Sequence, residues 1–262
     1  MDLNLTGRHA LVCGASEGIG RAAAHELALL GASVTLLARR ADVLAEVMAT
    51  LPRTPGEQHH DGIAVDVADA SPLQAKVAAL AAARPIHILV NNTGGPPGGR
   101  AIDAVADDYL AAFHRHLLAN QLLAQLTVPG MRAAGWGRII NVVSTSVKEP
   151  IANLGVSNTI RGAVGSWAKT LSKELGAYGI TVNNVLPGYT RTGRLEQILR
   201  DRVQATGKDE AAVSAAMLAS VPAGRFAEAH EVAAAIAFLA TPAAGYVNGV
   251  SLAVDGGRMQ SI

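Results

Sequence analysis

A single cysteine, Cys13, stands in 262 residues. No disulfide can close within the chain, and a reducing cytoplasm is the expected setting. Aromatic residues make up only 3%, so the core must be built from aliphatic and small side chains. Neither sign of charge dominates. The net charge is +1, and no basic run or basic-aromatic stripe occurs. That balance argues against nucleic acid or an anionic membrane as a partner. No apolar run reaches the roughly 18 residues read as a membrane span. The opening MDLNLTGRHALV lacks the basic-then-apolar pattern of a signal peptide. Metal-type spacing of Cys and His is also missing, so no metal is expected. The adjacent His59 and His60 read as surface residues.

Against these absences, half of the residues are hydrophobic and 27 are glycine. Such a composition suits one compact domain over residues 1–262, with helices lying close on a sheet. Seven short apolar runs read as strands: His9 to Cys13, Ser33 to Ala38, Gly62 to Val67, Ile86 to Asn92, Arg138 to Ser144, Ile180 to Pro187 and Val250 to Gly257. They are apolar on both faces, the mark of buried parallel strands. Ala- and Leu-rich helical segments separate them. The pattern implies an α/β, Rossmann-type doubly wound fold, a seven-stranded parallel sheet with helices on both faces. Pro52 to Gly62 and Thr93 to Arg100 read as loops. Ligands of such sheets bind at the carboxyl ends of the strands.

The stretch CGASEGIG, Cys13 to Gly20, follows the first strand and opens a helix. Gly14, Gly18 and Gly20 suit a tight turn that lets a diphosphate approach the backbone. Ser16 and Ile19 lie in the same turn, where helix N–H groups would face the anion. The second strand runs into Arg39 and Arg40, where an NAD site commonly has an acidic residue. Arginine there can pair with a 2′-phosphate, so NADP is the expected cofactor and NAD stays open. Glu17 counts against NADP, because its carboxylate would repel that phosphate.

The order of GASEGIG, Asp66–Val67, NNTGG at Asn91 to Gly95, Ser144, and NNVLPGYTRT at Asn183 to Thr192 resembles the short-chain dehydrogenase/reductase family. The tail Gly224 to Gly257 is similar in kind to its closing helix and strand. The nearest look is to the 3-oxoacyl-carrier-protein-reductase-like branch. The resemblance implies that Asp66 and Val67 meet the adenine and that Asn91 bonds beside the adenosine ribose. It gives Gly94 a close backbone approach, sets Pro187 and Gly188 beside the nicotinamide, and lets Thr192 bond its carboxamide or a phosphate. It also implies a homo-oligomer, commonly a tetramer.

In the family a serine orients the carbonyl, a tyrosine moves the proton, a lysine four residues later binds ribose, and an asparagine holds a water. Ser144 fits the serine. Thirteen residues on stands Ser157, and four further stands Arg161. The asparagine slot falls at His116, with Asn120 one turn beyond. A serine hydroxyl is a far weaker acid than a phenol with its pKa of about 10. Arg161 can bond ribose but will not shuttle a proton. His116, Lys148 and Tyr189 are the candidate substitutes. Two functions follow: an oxidoreductase acting on a carbonyl or alcohol with non-standard proton delivery, or a dinucleotide-binding sensor or partner subunit. Residues 190–224, with Leu195, Ile198 and Leu199 apolar among charges, suit a helical lid over the substrate.

Overall fold

The computed structural model describes residues 1–53 and 58–261. Seven strands pair in parallel: β1 (His9–Cys13), β2 (Ser33–Ala38), β3 (Asp61–Ala64), β4 (Ile88–Asn91), β5 (Gly137–Val142), β6 (Ile180–Pro187) and β7 (Ser251–Val254). Their order across the sheet is β3-β2-β1-β4-β5-β6-β7. The order reverses between β1 and β4, and a crevice opens there beyond the carboxyl ends. The expected doubly wound architecture is present.

The two-residue period of each strand splits its side chains between two cores. Ala10 and Val12 of β1 face one side, with Val34, Leu36, Val90 and Ile140. Against them pack α1 (Gly18–Leu29), α2 (Ala41–Ala49) and, near the chain end, α9 (Ala229–Ala240). Leu11 and Cys13 face the other side, against α3 (Ala70–Ala83), α5 (Ala119–Ala133) and α6 (Gly155–Leu175). Ala23 and Ala24 of α1 and Ala233 and Ala237 of α9 are buried, so small side chains do carry the helix packing. Leu27 is fully buried, and cutting such a leucine to alanine costs about 2–5 kcal/mol. Burial also pushes the Cys13 thiol up to about 12, which leaves it inert.

Several ends differ from the sequence expectation. β3 stops at Ala64 rather than Val67, because the Asp66 carboxylate accepts from Ala68 N at 3.0 Å and turns the chain. β4 and β5 end at Asn91 and Val142, short of Asn92 and Ser144. β7 stops at Val254, where the Asp255 side chain accepts from Gly257 N (3.0 Å) and Met259 N (2.8 Å). β3 and β7 are edge strands and are half exposed, not buried on both faces. Of the loop from Pro52 to Gly62, residues 54–57 lie outside the described residues. His60 is not a plain surface residue. Its Nδ1 accepts from Val34 N at 3.2 Å, and its Nε2 lies 3.2 Å from the Pro52 carbonyl. Among the described residues no helix is long and apolar enough to cross a membrane, and no group of three or more His, Cys, Asp or Glu could hold a metal.

Candidate active site

The crevice begins at the turn between β1 and α1. Gly14 has φ +60° and Gly18 φ +54°, a region that side chains rarely adopt. A Cβ on Gly20 would lie 2.2 Å from the Gly14 carbonyl oxygen. No side chain caps α1, since Glu17 at its N-cap position makes no capping bond. The first-turn N–H groups and the positive dipole end are thus left for an anion. Asn92, just beyond β4, fixes the turn, its Nδ2 lying 3.3 Å from the Gly14 carbonyl and 3.4 Å from that of Cys13. Ser16 is half-buried in the turn, and Ile19 packs onto the sheet.

At the end of β2, Arg39 is exposed and makes no ion pair among the described residues. Arg40 pairs with Glu17 at 3.2 Å. The carboxylate that seemed set against a 2′-phosphate is therefore partly neutralised by the neighbouring arginine. Asp66 is half-buried and lies 3.8 Å from Arg115, and Val67 packs on the core.

A ladder of amides crosses the sheet at the carboxyl end of β4. Asn91, Asn141, Asn184 and Ser251 stand in register on four adjacent strands. Asn91 Nδ2 donates to Asn141 Oδ1 (2.8 Å), Asn141 Nδ2 to Asn184 Oδ1 (3.0 Å), and Asn184 Nδ2 to Ser251 Oγ (3.1 Å). The Asn91 side chain is buried, its amide nitrogen donates to Asn141, and its Oδ1 has no partner among the described residues. Gly94, by contrast, is exposed with open space around its Cβ position.

Ser144 follows β5, half-buried, and its Oγ accepts from Ser146 N at 3.1 Å, leaving the hydroxyl proton to donate elsewhere. Ser157 and Arg161 lie one turn apart on α6, each 8% exposed. The start of α6 is pinned. Asn158 exchanges bonds with Ile151 N (3.2 Å) and O (2.8 Å), and a Cβ on Gly155 would strike Ala101 at 2.4 Å. Arg161 donates to the carbonyls of Val142 (3.0 Å) and Thr93 (3.3 Å). Burial, then the charge of Arg194, lowers it to about 10, so it stays cationic at neutral pH.

His116 sits in a widened turn, His114–Leu118, joining α4 (Ala106–Phe113) to α5. Ala119 N bonds the His114 carbonyl five residues back. Such insertions often mark functional sites. His116 Nδ1 is 2.6 Å from Thr93 Oγ1, and its buried Nε2 has no partner among the described residues. Burial first, then the charges of Arg161 and Arg115, pull its pKa down to about 3. That shift favours the neutral ring near pH 7. Lys148 is exposed, and its neighbour Glu149 instead accepts from Gln260 N (2.8 Å) and Ser261 N (2.5 Å), tying down the tail. Tyr189 packs edge-on to Phe226 and lies 4.6 Å beneath the Arg258 guanidinium.

From β6 the chain passes Pro187 and Gly188, where a Cβ would lie 2.7 Å from Asp255, then rises through Thr192. The Thr192 methyl is 3.0 Å from the Cβ position of Gly18, so this strap lies on the glycine turn. Two helices follow, α7 (Gly193–Thr206) and α8 (Glu210–Leu218). Leu195, Leu199, Val213, Met217 and Phe226 give them a small core of their own. Two groups near the crevice escaped the sequence reading. Arg194 donates to the Pro96 carbonyl at 2.8 Å, and Arg258 to Thr145 Oγ1 at 3.4 Å. Their contacts are made across long sequence separations that no local pattern encodes.

A family model described as enoyl-(acyl carrier protein) reductase matches residues 14–258. The 3-oxoacyl-acyl-carrier-protein reductase FabG of Vibrio harveyi is 34% identical over 97% of this chain and 98% of its own. The crystal structure of L-sorbose reductase from Gluconobacter frateurii, complexed with NADPH and L-sorbose, superposes with a TM-score of 0.92 at 30% identity, covering all of both chains. YwfH, an NADPH-dependent reductase involved in bacilysin biosynthesis, superposes at 0.90 with 30% identity over 97% and 99% of the two chains. Matched along nearly its whole length in both sequence and structure, the chain belongs to the short-chain dehydrogenase/reductase superfamily, in its 3-oxoacyl-carrier-protein-reductase-like branch.

Proposed function

We propose that the chain is an NADP-dependent oxidoreductase acting on a carbonyl or alcohol. The observation that carries this reading is the uncapped α1 amino terminus behind a turn whose glycines admit no side chain. Those residues fit a dinucleotide's diphosphate. A nicotinamide dinucleotide held there would supply hydride for a carbonyl carbon, and the chain's own residues orient the oxygen that takes the proton. Arg39, exposed and without an ion pair among the described residues, would pair with a 2′-phosphate, and NADPH named with YwfH and the sorbose reductase supports that preference. Asp66 and Val67 would flank the adenine, Gly94 the ribose, and Pro187, Gly188 and Thr192 the nicotinamide side.

In this chain Ser144 orients the carbonyl oxygen by donating a hydrogen bond to it and keeps its proton. Arg161 reaches ribose hydroxyls and stabilises negative charge developing above Val142 and Ser144. Ser157 is too weak an acid to supply the proton at neutral pH, and His116 is neutral. The proton is drawn from solvent acid, hydronium or a buffer acid, and relayed by water in the crevice, since neutral water is itself as weak an acid as a serine hydroxyl. Residues 190–224 act as the lid, their separate small core letting them move as a unit. Ile102, Val105, Leu110 and Leu118 near α4, and Tyr246, Val250 and Leu252 beside β7, are exposed. These two apolar surfaces support a homotetramer. The buried lone cysteine fits a cytoplasmic protein.

Ser157 and Arg161 also favour a second reading, a dinucleotide sensor that holds cofactor without turnover. Absorbance of NADPH followed with ketones and 3-oxoacyl thioesters separates the two. Consumption with at least one substrate supports the enzyme. Tight binding with no consumption across the panel supports the sensor.

A further inference from the structure

We infer that Arg161 and Arg194 form a receptor for a carboxylate on the substrate, so that the ligand is an oxo acid or its hydroxy-acid counterpart. The inference rests on the oxidoreductase reading for the carbonyl, but the anion site stands on its own geometry.

Arg161 is 8% exposed, and among the described residues its hydrogen bonds run to backbone carbonyls. Arg194 likewise donates to a carbonyl, that of Pro96. Among the described residues neither has a carboxylate within 4.0 Å, which is also true of the buried Arg138; what sets Arg161 and Arg194 apart is that they lie together. A buried cation without a counter-ion is costly and is held against the repulsion of a second one. An anionic ligand removes both costs.

The two guanidinium groups converge on one spot. At the position a Cβ would take on Gly95, the three nearest heavy atoms outside Gly95 and its chain neighbours are guanidinium nitrogens. They are Arg161 Nη2 at 3.6 Å, Arg194 Nη2 at 3.7 Å and Arg194 Nε at 4.0 Å. Gly95 does not have the positive φ that demands glycine. Its missing side chain leaves open a place where a carboxylate could meet both arginines, a geometry their planar donor forks suit. Arg194 is also the second residue of α7, whose N-cap Thr192 makes no side-chain cap, so the dipole end adds to the field.

Arg161 touches Val142, two residues before Ser144, and its five donors let one guanidinium serve both a ribose hydroxyl and a substrate carboxylate, while the diphosphate has its own uncapped helix at α1. Arg194 lies on the strap leading into the lid, so a carboxylate bridging it to Arg161 would also hold the lid against the Thr93 to Arg100 loop.

Calorimetry on the full chain tests this, with NADPH bound and again without it. The probes are pyruvate, acetoacetate and levulinate, each beside its methyl ester. The wild type is expected to bind at least one acid about 10–100-fold tighter than its ester. Arg194→Gln should abolish that preference while the NADPH affinity stays within about twofold. Gly95→Ala should do the same without removing a charge, because its methyl stands at ordinary contact distance yet fills the spot. Equal binding of acids and esters by the wild type overturns the inference, as does an unchanged preference in both variants. If Arg194→Gln weakens NADPH as much as the acid, the anion is the cofactor's phosphate and the inference fails. Failure of NADPH to bind the wild type would instead sink the oxidoreductase reading, while the cofactor-free titration still decides the carboxylate site.

Discussion

His116 links the site to the stability of the fold. Its pKa is about 3, against an ordinary value of 6.5, because it is buried next to Arg161 and Arg115. The folded chain therefore keeps it neutral at pH 5, while the unfolded chain protonates it. With the folded value depressed, the stabilising contribution is complete above about pH 6.5 and is lost as pH falls towards the folded value. Between pH 7 and pH 5 this group alone should remove about 2 kcal/mol of unfolding free energy. That is a large share of a typical stability of about 5–15 kcal/mol. His9, lowered to about 4 by burial and then by Arg84, adds a similar loss in the same window. Urea unfolding at pH 7 and pH 5, at fixed protein concentration, measures the total. His116→Asn should make the pH-dependent loss smaller by about 2 kcal/mol than in wild type. An identical loss in both proteins, or an NMR titration of His116 near 6.5 in the folded state, would refute the reasoning.

Three further substitutions probe separate parts of the account. Gly20→Ala puts a methyl 2.2 Å from the Gly14 carbonyl, where only backbone can give way. It should cost about 1–3 kcal/mol in urea unfolding and weaken NADPH binding. Asn141→Leu strands the Asn91 amide and the Asn184 carbonyl oxygen in the sheet, and should destabilise by about 2–5 kcal/mol in the same assay. Ser157→Tyr with Arg161→Lys should raise kcat/KM for a ketone about 100-fold or more, because it supplies the missing acid and its activating cation.

The strands and the glycine turn were legible because periodicity and turn chemistry are local. Apolar runs of the right length became β1 to β7, and Gly14, Gly18 and Gly20 fell where a tight turn requires them. Strand ends were less legible, since Asp66 and Asp255 end strands through side-chain bonds that hydropathy does not register. The fate of Asn91 was hidden for another reason. Its partner Asn141 lies fifty residues away and is brought opposite only by sheet register. His116 was found by counting, but its acidity depends on burial and on Arg161, which a count cannot supply. Arg194 read as one more charge on an amphipathic helix, and only the fold sets it beside Gly95.

The central claim is that the first glycine turn and the exposed Arg39 hold NADPH. Calorimetric titration of the wild type and of Arg39→Ala with NADPH and NADH tests it most directly. The account predicts saturable NADPH binding, weakened about tenfold or more by the substitution, with NADH affinity within about twofold. Absence of binding by both nucleotides up to about 1 mM, or an equal affinity for the two that Arg39→Ala leaves unaltered, would contradict it.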